Sequence, residues 1–209
     1  MGQYYIAINV DKKEYIHPHR YDNGLKLMEW SYIGNHFANA LLNLIAHRWK
    51  GDRVYVVGDY ADLSDESEVW YPELENLTEE LGLHDGDYKN FPDDYSLYTY
   101  AQAHYKHLPK SKVGHKKLAG RYIYNTLDKT YIDLQHVPVF HYDGWKWRVS
   151  PWSLLLAMGN GRGGGDYRDH NKNKVGQWAG ESQYLEITSE PRPDHDQYIE
   201  WRPDFAEKW

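Results

Sequence analysis

The sequence predicts an α+β fold, a single domain over residues 1–209 that joins a mixed sheet with hairpins to one long helix and several short ones. Three observations lead there. Short apolar and aromatic runs bounded by turn residues recur along the chain, which is the pattern of strands. One segment repeats its apolar residues at the helical period. No linker rich in Gly, Ser or Pro divides the 209 residues, a length suited to one sizeable core.

In chain order, "QYYIAINV" (3–10) reads as a strand buried on both faces and closed by the turn "DKK". It carries no charge and would invite aggregation if left unpaired, so a central place in the sheet is expected. "EYIHPH" (14–19) is a second extended stretch whose Pro18 suits an edge or an exit. Asn23-Gly24 marks a turn. Ser31 to Trp49 is the strongest helix. Phe37, Ala38, Leu41, Leu42, Leu44 and Ile45 form its apolar face, and Ser31 is the expected N-cap. Asn35, Asn39, Asn43 and His47 follow at i+4 steps, a stripe expected to face solvent.

"DRVYVVGDY" (52–60) is a strand, and "PELENLTEELGL" (72–83) is an acidic helix starting at Pro72 and stopped by Gly82. Residues 84–118 are polar, with "SLYTYAQAHYKHL" able to form a helix. This segment is expected to cover the domain or to move, adding little to the core. Hairpins follow at 121–134, turning at Leu127-Asp128-Lys129, and at 139–149, where Asp143-Gly144 fits a type I′ turn. "SPWSLLLAM" (150–158) is a short capped helix, and 183–189 and 197–201 are late strands. Two echoes stand out. Trp49-Lys-Gly51-Asp52 precedes one strand and Trp178-Ala-Gly180-Glu181 another, while Gly-Asp-Tyr occurs at 58–60, 86–88 and 165–167. The unequal spacings exclude a solenoid. They leave a duplicated turn-plus-strand unit, or chance in a chain rich in these residues.

Composition narrows the function classes. With 31 acidic against 24 basic residues the net charge is −7, which argues against general nucleic-acid binding. The local run Lys106, His107, Lys110, Lys112, His115, Lys116 and Lys117 reads as a solvated face. The absence of cysteine removes disulfides, thiolate nucleophiles and Cys-ligated zinc. The apolar stretches "ALLNLIA" and "SLLLAM" are too short to span a bilayer, so no membrane partner is expected. "MGQYYI" lacks the Ser or Thr of a myristoylation signal, and no basic-then-apolar leader opens the chain; a cytoplasmic location is the expectation. Tyr 20 and Trp 9 outnumber Phe 4, so most rings carry a polar edge.

The segment "GNGRGGGDYRDH" (159–170) is the feature with chemistry in it. Gly159, Gly161 and Gly164 match the spacing of a dinucleotide fingerprint, yet a helix is expected before them and "DYRDHNKNK" after them has no apolar helical face. No Gly-Lys-Ser/Thr closes a P-loop. What remains is a run whose unshielded backbone N–H groups can form an anion nest, with Arg162 and Arg168 as forked donors. The candidate binding residues are Gly161, Arg162, Gly163, Gly164, Gly165, Asp166, Tyr167 and Arg168. Asp11, His17, His19, Asp52 and Arg53 are expected to form the opposite wall. Candidate catalytic groups are Asp59, Asp166 and His170, since carboxylate–His pairs suit proton transfer. His17-Pro-His19 and His104-x-x-His107 are the close His pairs, but twelve histidines make chance pairs expected, and no metal is assigned.

"MGQYYIAINVDKKEYIHPH", "GLKLMEW", "WKGDRVYVVGDYAD" and "GNGRGGGDYRDHNKNKVGQWAGE" together resemble an uncharacterised family of small intracellular proteins of bacteria, mobile elements and fungi. Its members carry MGQYY, DKREYIHPH, GNGRGGGDY and WAGDR-GDYA motifs. Glu181 stands where the family form has Asp, and 84–118 lies outside the likeness. The resemblance implies that the glycine loop is a site and implies no chemistry. The expected function is binding of a small anionic, nucleotide-like ligand by the glycine loop and aromatic rings, as a sensor or sequestering protein. An enzyme acting on such a ligand and a protein-interaction module are the alternatives. No cofactor is implied, and oligomeric state is not legible.

Overall fold

A computed structural model describes residues 2–61, 80, 96–142, 144–159, 175–203 and 205 of the chain. The acidic segment 72–83, apart from Glu80, and the glycine loop from Asn160 to Lys174 lie outside the described residues. The fold is α+β. Strands β1 (Tyr5–Asn9), β2 (Glu14–Ile16), β3 (Val54–Gly58), β4 (Lys106–His107) and β9 (Ala157–Met158) form a sheet ordered β4-β2-β1-β3-β9. Strands β5 (Tyr122–Asn125), β6 (Thr130–Asp133), β10 (Leu185–Thr188) and β11 (Ile199–Glu200) form a second, ordered β10-β5-β6-β11. The hairpin β7 (Val139–Tyr142) and β8 (Trp145–Arg148) stands as a third, turning at Gly144 with φ +78°.

As its uncharged sequence predicts, β1 is central. It pairs antiparallel with β2 and β3, and every one of its residues is buried. One face, with Tyr5, Ala7, Val54 and Val56, packs on helices α2 (His36–Ala46) and α4 (Pro151–Leu155) and, beyond them, on Ile123, Ile132 and Leu185 of the second sheet. The other face, with Ile6, Ile8, Tyr55, Val57 and Met158, lies against Leu97, Tyr98 and Ala101 of α3 (Leu97–His104). One hydrophobic core joins the two sheets, and a smaller one covers the far face of the first.

The two sheets are built on one plan. In each, a four-residue turn joins antiparallel strands and ends on a lysine in the left-handed region, Lys13 at φ 51° and Lys129 at φ 57°. In each, a third strand pairs antiparallel with the first, and a short fourth strand runs parallel to the second. The fourth strands are tethered alike: Lys106 N–H donates to the Lys13 carbonyl at 2.8 Å, and Ile199 N–H to the Lys129 carbonyl at 2.9 Å. The third strands are introduced by the echoed turns. Gly51 and Gly180 have φ +79° and +80°, and Asp52 and Glu181 N–H groups donate back to the carbonyls of Trp49 and Trp178. The echo is a duplicated unit.

A buried asparagine ties each unit together. Asn9 Oδ1 accepts from Lys12 N–H at 2.8 Å and its Nδ2 donates to Asp52 at 2.8 Å. Asn125 Oδ1 accepts from the N–H groups of Leu127 and Asp128, and its Nδ2 donates to Glu181 at 2.8 Å. Each amide therefore holds its hairpin turn with one atom and the incoming third strand with the other.

Three local expectations are corrected. The expected 31–49 helix is shorter: α2 starts at His36 and ends at Ala46, after the separate α1 (Leu27–Trp30), and is capped by Asn35, whose Oδ1 accepts from the Phe37 and Ala38 N–H groups. Ser31 instead exchanges backbone bonds around a bridge between Tyr32 and Val149. Of the stripe, His47 is exposed but the asparagines do not face solvent. Asn39 and Asn43 donate to the carbonyls of His115 and Lys117, so the polar side of α2 docks the 113–118 loop. And the described part of 84–118 covers the first sheet while also filling core, with Leu97, Tyr98, Ala101, Tyr105, Leu108 and Val113 buried. The Lys and His of this stretch alternate with apolar residues that face inward, a short-range pattern hidden by its overall polarity.

Replacing either clasp should uncouple its unit. Asn9→Ala and Asn125→Ala are each expected to lower unfolding free energy by about 1–3 kcal/mol, the cost of stranding buried hydrogen-bond partners, read from denaturant melts.

Candidate functional site

The chain directions divide the first sheet into two ends. β1 starts where β2, β3 and β9 finish, because β1 is antiparallel to β2 and β3 while β9 is parallel to β3. The predicted opposite wall is split between these ends. Asp11, Asp52 and Arg53 gather where β1 finishes; His17, His19 and Asp59 lie where it starts. Asn9 faces Val54 and Tyr5 faces Gly58, so the two ends stand about 13 Å apart at roughly 3.3 Å per residue.

The first end is closed by its own ions. Arg53 donates from Nε and Nη2 to Asp11 at 3.0 and 2.7 Å, from its N–H to Asp11 at 2.7 Å, and from Nη1 to Glu80 at 2.7 Å. Burial pushes the Asp11 carboxyl up, but these donors outweigh it and hold the group below its ordinary value. Lys12 pairs with Asp52, and the Asp52 carbonyl accepts from Ser182 Oγ. These residues have structural work, and Arg53 is already engaged by two carboxylates.

At the second end the chain enters the glycine run at Gly159. A two-residue strand, β9, separates α4 from Gly159, so a strand and not the expected helix comes directly before the loop. Its pairing residues Ala157 and Met158 lie beside Val56 and Val57, and the parallel strands β3 and β9 finish side by side at Gly58 and Gly159. α3 packs on one face of the sheet, where Ala179 joins it, and Trp178 packs in the core on the other. In open sheets the carboxyl ends of adjacent parallel strands are the usual place for a ligand.

Gln3 fills the floor of that end. Its side chain is fully buried, and its Oε1 accepts from the Tyr5 hydroxyl at 2.9 Å. Nε2 has no hydrogen-bond partner among the described residues. Both strand-end glycines are required by this pair. A Cβ at Gly58 would lie 2.3 Å from Gln3 Nε2, and one at Gly159 would lie 2.4 Å from the Tyr5 hydroxyl and 2.6 Å from Gln3 Oε1. The contrast with Asn9, at the other end of the same strand, is direct: there both amide atoms are satisfied. An enclosed donor left unmade costs about 1–3 kcal/mol. Sequence reading missed Gln3; its only signal is a lone amide heading an apolar run.

Asp59 is held to the chain start, its Oδ1 accepting from Tyr4 N–H at 2.9 Å while its own N–H donates to the Tyr4 carbonyl. His17 and His19 follow β2 at the same end. His17 Nδ1 accepts from His19 N–H at 3.3 Å, and their rings are 5.2 Å apart. Burial first, and then the neighbouring His19, His107 and Arg20, lower the His17 imidazole to about 4. Among the described residues no group of three His, Cys, Asp or Glu can hold a metal ion, and no helix is long and apolar enough to cross a membrane. Gly161, Arg162, Gly163, Gly164, Gly165, Asp166, Tyr167, Arg168 and His170 lie outside the described residues.

The duplicated plan gives the glycine loop a measure. In the first unit the Leu44 carbonyl accepts from Trp49 N–H at 2.7 Å, and in the second the Leu155 carbonyl accepts from Trp178 N–H at 2.7 Å. The first unit makes this passage with residues 45–48; the second takes residues 156–177. The glycine run is thus an insertion into a connection that the fold completes elsewhere with four residues. No family model matches the sequence, and no curated protein or solved structure matches it.

Two outcomes test this geometry. Gly58→Ala should destabilise the protein by about 1–3 kcal/mol through overpacking against Gln3, and by clearly less when introduced beside Gln3→Ala, as a double-mutant denaturation cycle would show. His17 stays neutral in the folded chain down to about 4 but titrates near 6.5 when unfolded, so stability is lost as pH falls across that window. His17→Asn should remove that part of the loss, seen as a smaller drop in melting temperature between pH 6.5 and 4.

Proposed function

We propose that this protein binds a small anionic, nucleotide-like molecule at the carboxyl ends of β3 and β9, as a cytoplasmic sensor or sequestering protein of a mobile element. The observation that carries the reading is the insertion: a passage needing four residues in one unit takes 156–177 in the other, and its glycine run starts at Gly159, directly after β9 has paired with β3. A loop required only to turn has no use for that length. Its sequence supplies what an anion needs, consecutive glycines that leave N–H groups open and the guanidiniums of Arg162 and Arg168. Arg20, following β2 at the same end, adds a further positive charge. The mobile-element setting rests on the resemblance of the motifs alone.

Arg162→Ala is expected to weaken nucleotide binding by roughly ten- to a hundred-fold, the worth of one charged hydrogen bond, and to leave the melting temperature nearly unchanged. Calorimetric titration of wild type and variant against mononucleotides, beside their melting curves, decides. An intact protein that takes up none of them overturns the reading.

A further inference from the structure

We propose that the loop 110–117 is a docking surface for the phosphate backbone of a single-stranded nucleic acid, met by the side chains of Lys112, Lys116 and Lys117. Between Asp94 and Asp128 the chain has no acidic residue, although acidic residues outnumber basic ones overall, 31 to 24. The fold hardly makes up for this. Among the described residues the loop's one ion pair joins Lys110 to Asp22 at 2.8 Å. Lys112, Lys116 and Lys117 are exposed, and their side chains make no hydrogen bond or ion pair among the described residues. The net charge of −7 argues against binding over the whole surface, and this face is the local exception.

Neutral groups hold the loop in place. Asn39 and Asn43 of α2 donate from Nδ2 to the carbonyls of His115 and Lys117 at 3.2 and 2.7 Å. Buried Val113 and half-buried Leu118 pack in the main core on either side of these contacts. Asn39 and Asn43 are one helical turn, about 6 Å, apart, so residues 115–117 run extended along α2 and set their charges in a row. A row of point charges on a fixed backbone suits a linear polyanion, which sheds counterions on contact. Rings stand beside the row. Exposed His36 lies edge-on 5.3 Å from the His115 ring, which itself rests edge-on against buried Tyr21. Bases stack on such rings and the carboxylates of an acidic protein do not, which favours a nucleic acid strand. None of the exposed large hydrophobics that a membrane surface would take up belongs to this loop or to α2.

Anisotropy titration of a fluorescent oligouridylate at rising salt is the test. Wild type should bind, and log K should fall against log salt with a slope of about −2 for three phosphates met. Lys116→Glu with Lys117→Glu should weaken binding roughly tenfold or more and flatten that slope. Both side chains are exposed and α2 bonds only backbone carbonyls here, so the variant should melt like wild type. Lys146→Glu with Arg148→Glu makes the same charge change on the exposed β8 and should bind like wild type. No binding by wild type, equal loss in both variants, or unchanged binding by the first overturns the proposal. So does equal or tighter binding of polyglutamate or of phosphatidylserine vesicles. Should the first variant fail to fold, Lys112→Glu is read in its place. The mononucleotide site proposed above shares none of these residues, so either proposal can fail alone.

Discussion

A buried asparagine amide that must be satisfied inside the fold is the constraint on which both sheets depend. Asn9 and Asn125 sit fully enclosed at the ends of their strands. Left unpaired, either would cost as much as a lost hydrogen bond or more. Each solves this by taking a turn N–H on its oxygen and giving its amide hydrogens to a carboxylate that arrives from far along the chain, Asp52 or Glu181. A hairpin, a third strand and the Trp-x-Gly turn before it are locked in one arrangement by one side chain. Register follows, and with it the assignment of every strand residue to one face or the other.

The units have diverged around this shared clasp. In the first, buried Glu14 accepts from Arg48 at 2.8 and 2.5 Å and from Trp49 Nε1 at 2.9 Å, and these donors, the Arg48 bonds foremost, hold its carboxyl below its ordinary range. In the second, Thr130 stands where Glu14 stands and is too short to reach. Thr130 Oγ1 and Trp178 Nε1 are both left without partners among the described residues. The outer face of the second sheet went another way, with Tyr122, Tyr124, Tyr131 and Tyr198 gathered around His195, whose Nδ1 lies 2.8 Å from the Tyr124 hydroxyl. Many of the polar-edged rings are spent here on packing. The glycine run is one departure from the common plan, and it opens where β9 has been added to the edge of the first sheet, a strand with no counterpart in the second.

The ionic residues divide the same way. Asp11, Asp52 and Arg53 read in sequence as one wall of a binding site, yet they close one end of the sheet with ion pairs to Lys12, Glu80 and each other. The other end brings Gln3, Tyr5, Gly58 and Gly159 together beside Asp59, whose carboxylate accepts from Tyr4 N–H.

The sequence by itself determined the elements whose signals are local: the apolar β1, the hairpins turning at 127–129 and at Gly144, the apolar face of α2, and the echo of two Trp-x-Gly turns. These are short-range preferences of backbone and side chain, readable in a window of a few residues. Only the tertiary structure decided that the echo marks a whole duplicated unit, because the strands that complete each unit are widely separated in the chain. It alone turned the asparagine stripe from a solvated face into a dock, separated Asp11 and Arg53 from His17 and Asp59, and exposed β9, which is too short to carry a periodicity. Gln3 became legible last. Whether an amide is a surface group or an enclosed, unmet donor depends on what closes over it, and here that is Tyr5, Gly58 and Gly159, brought together by pairing across distant parts of the chain.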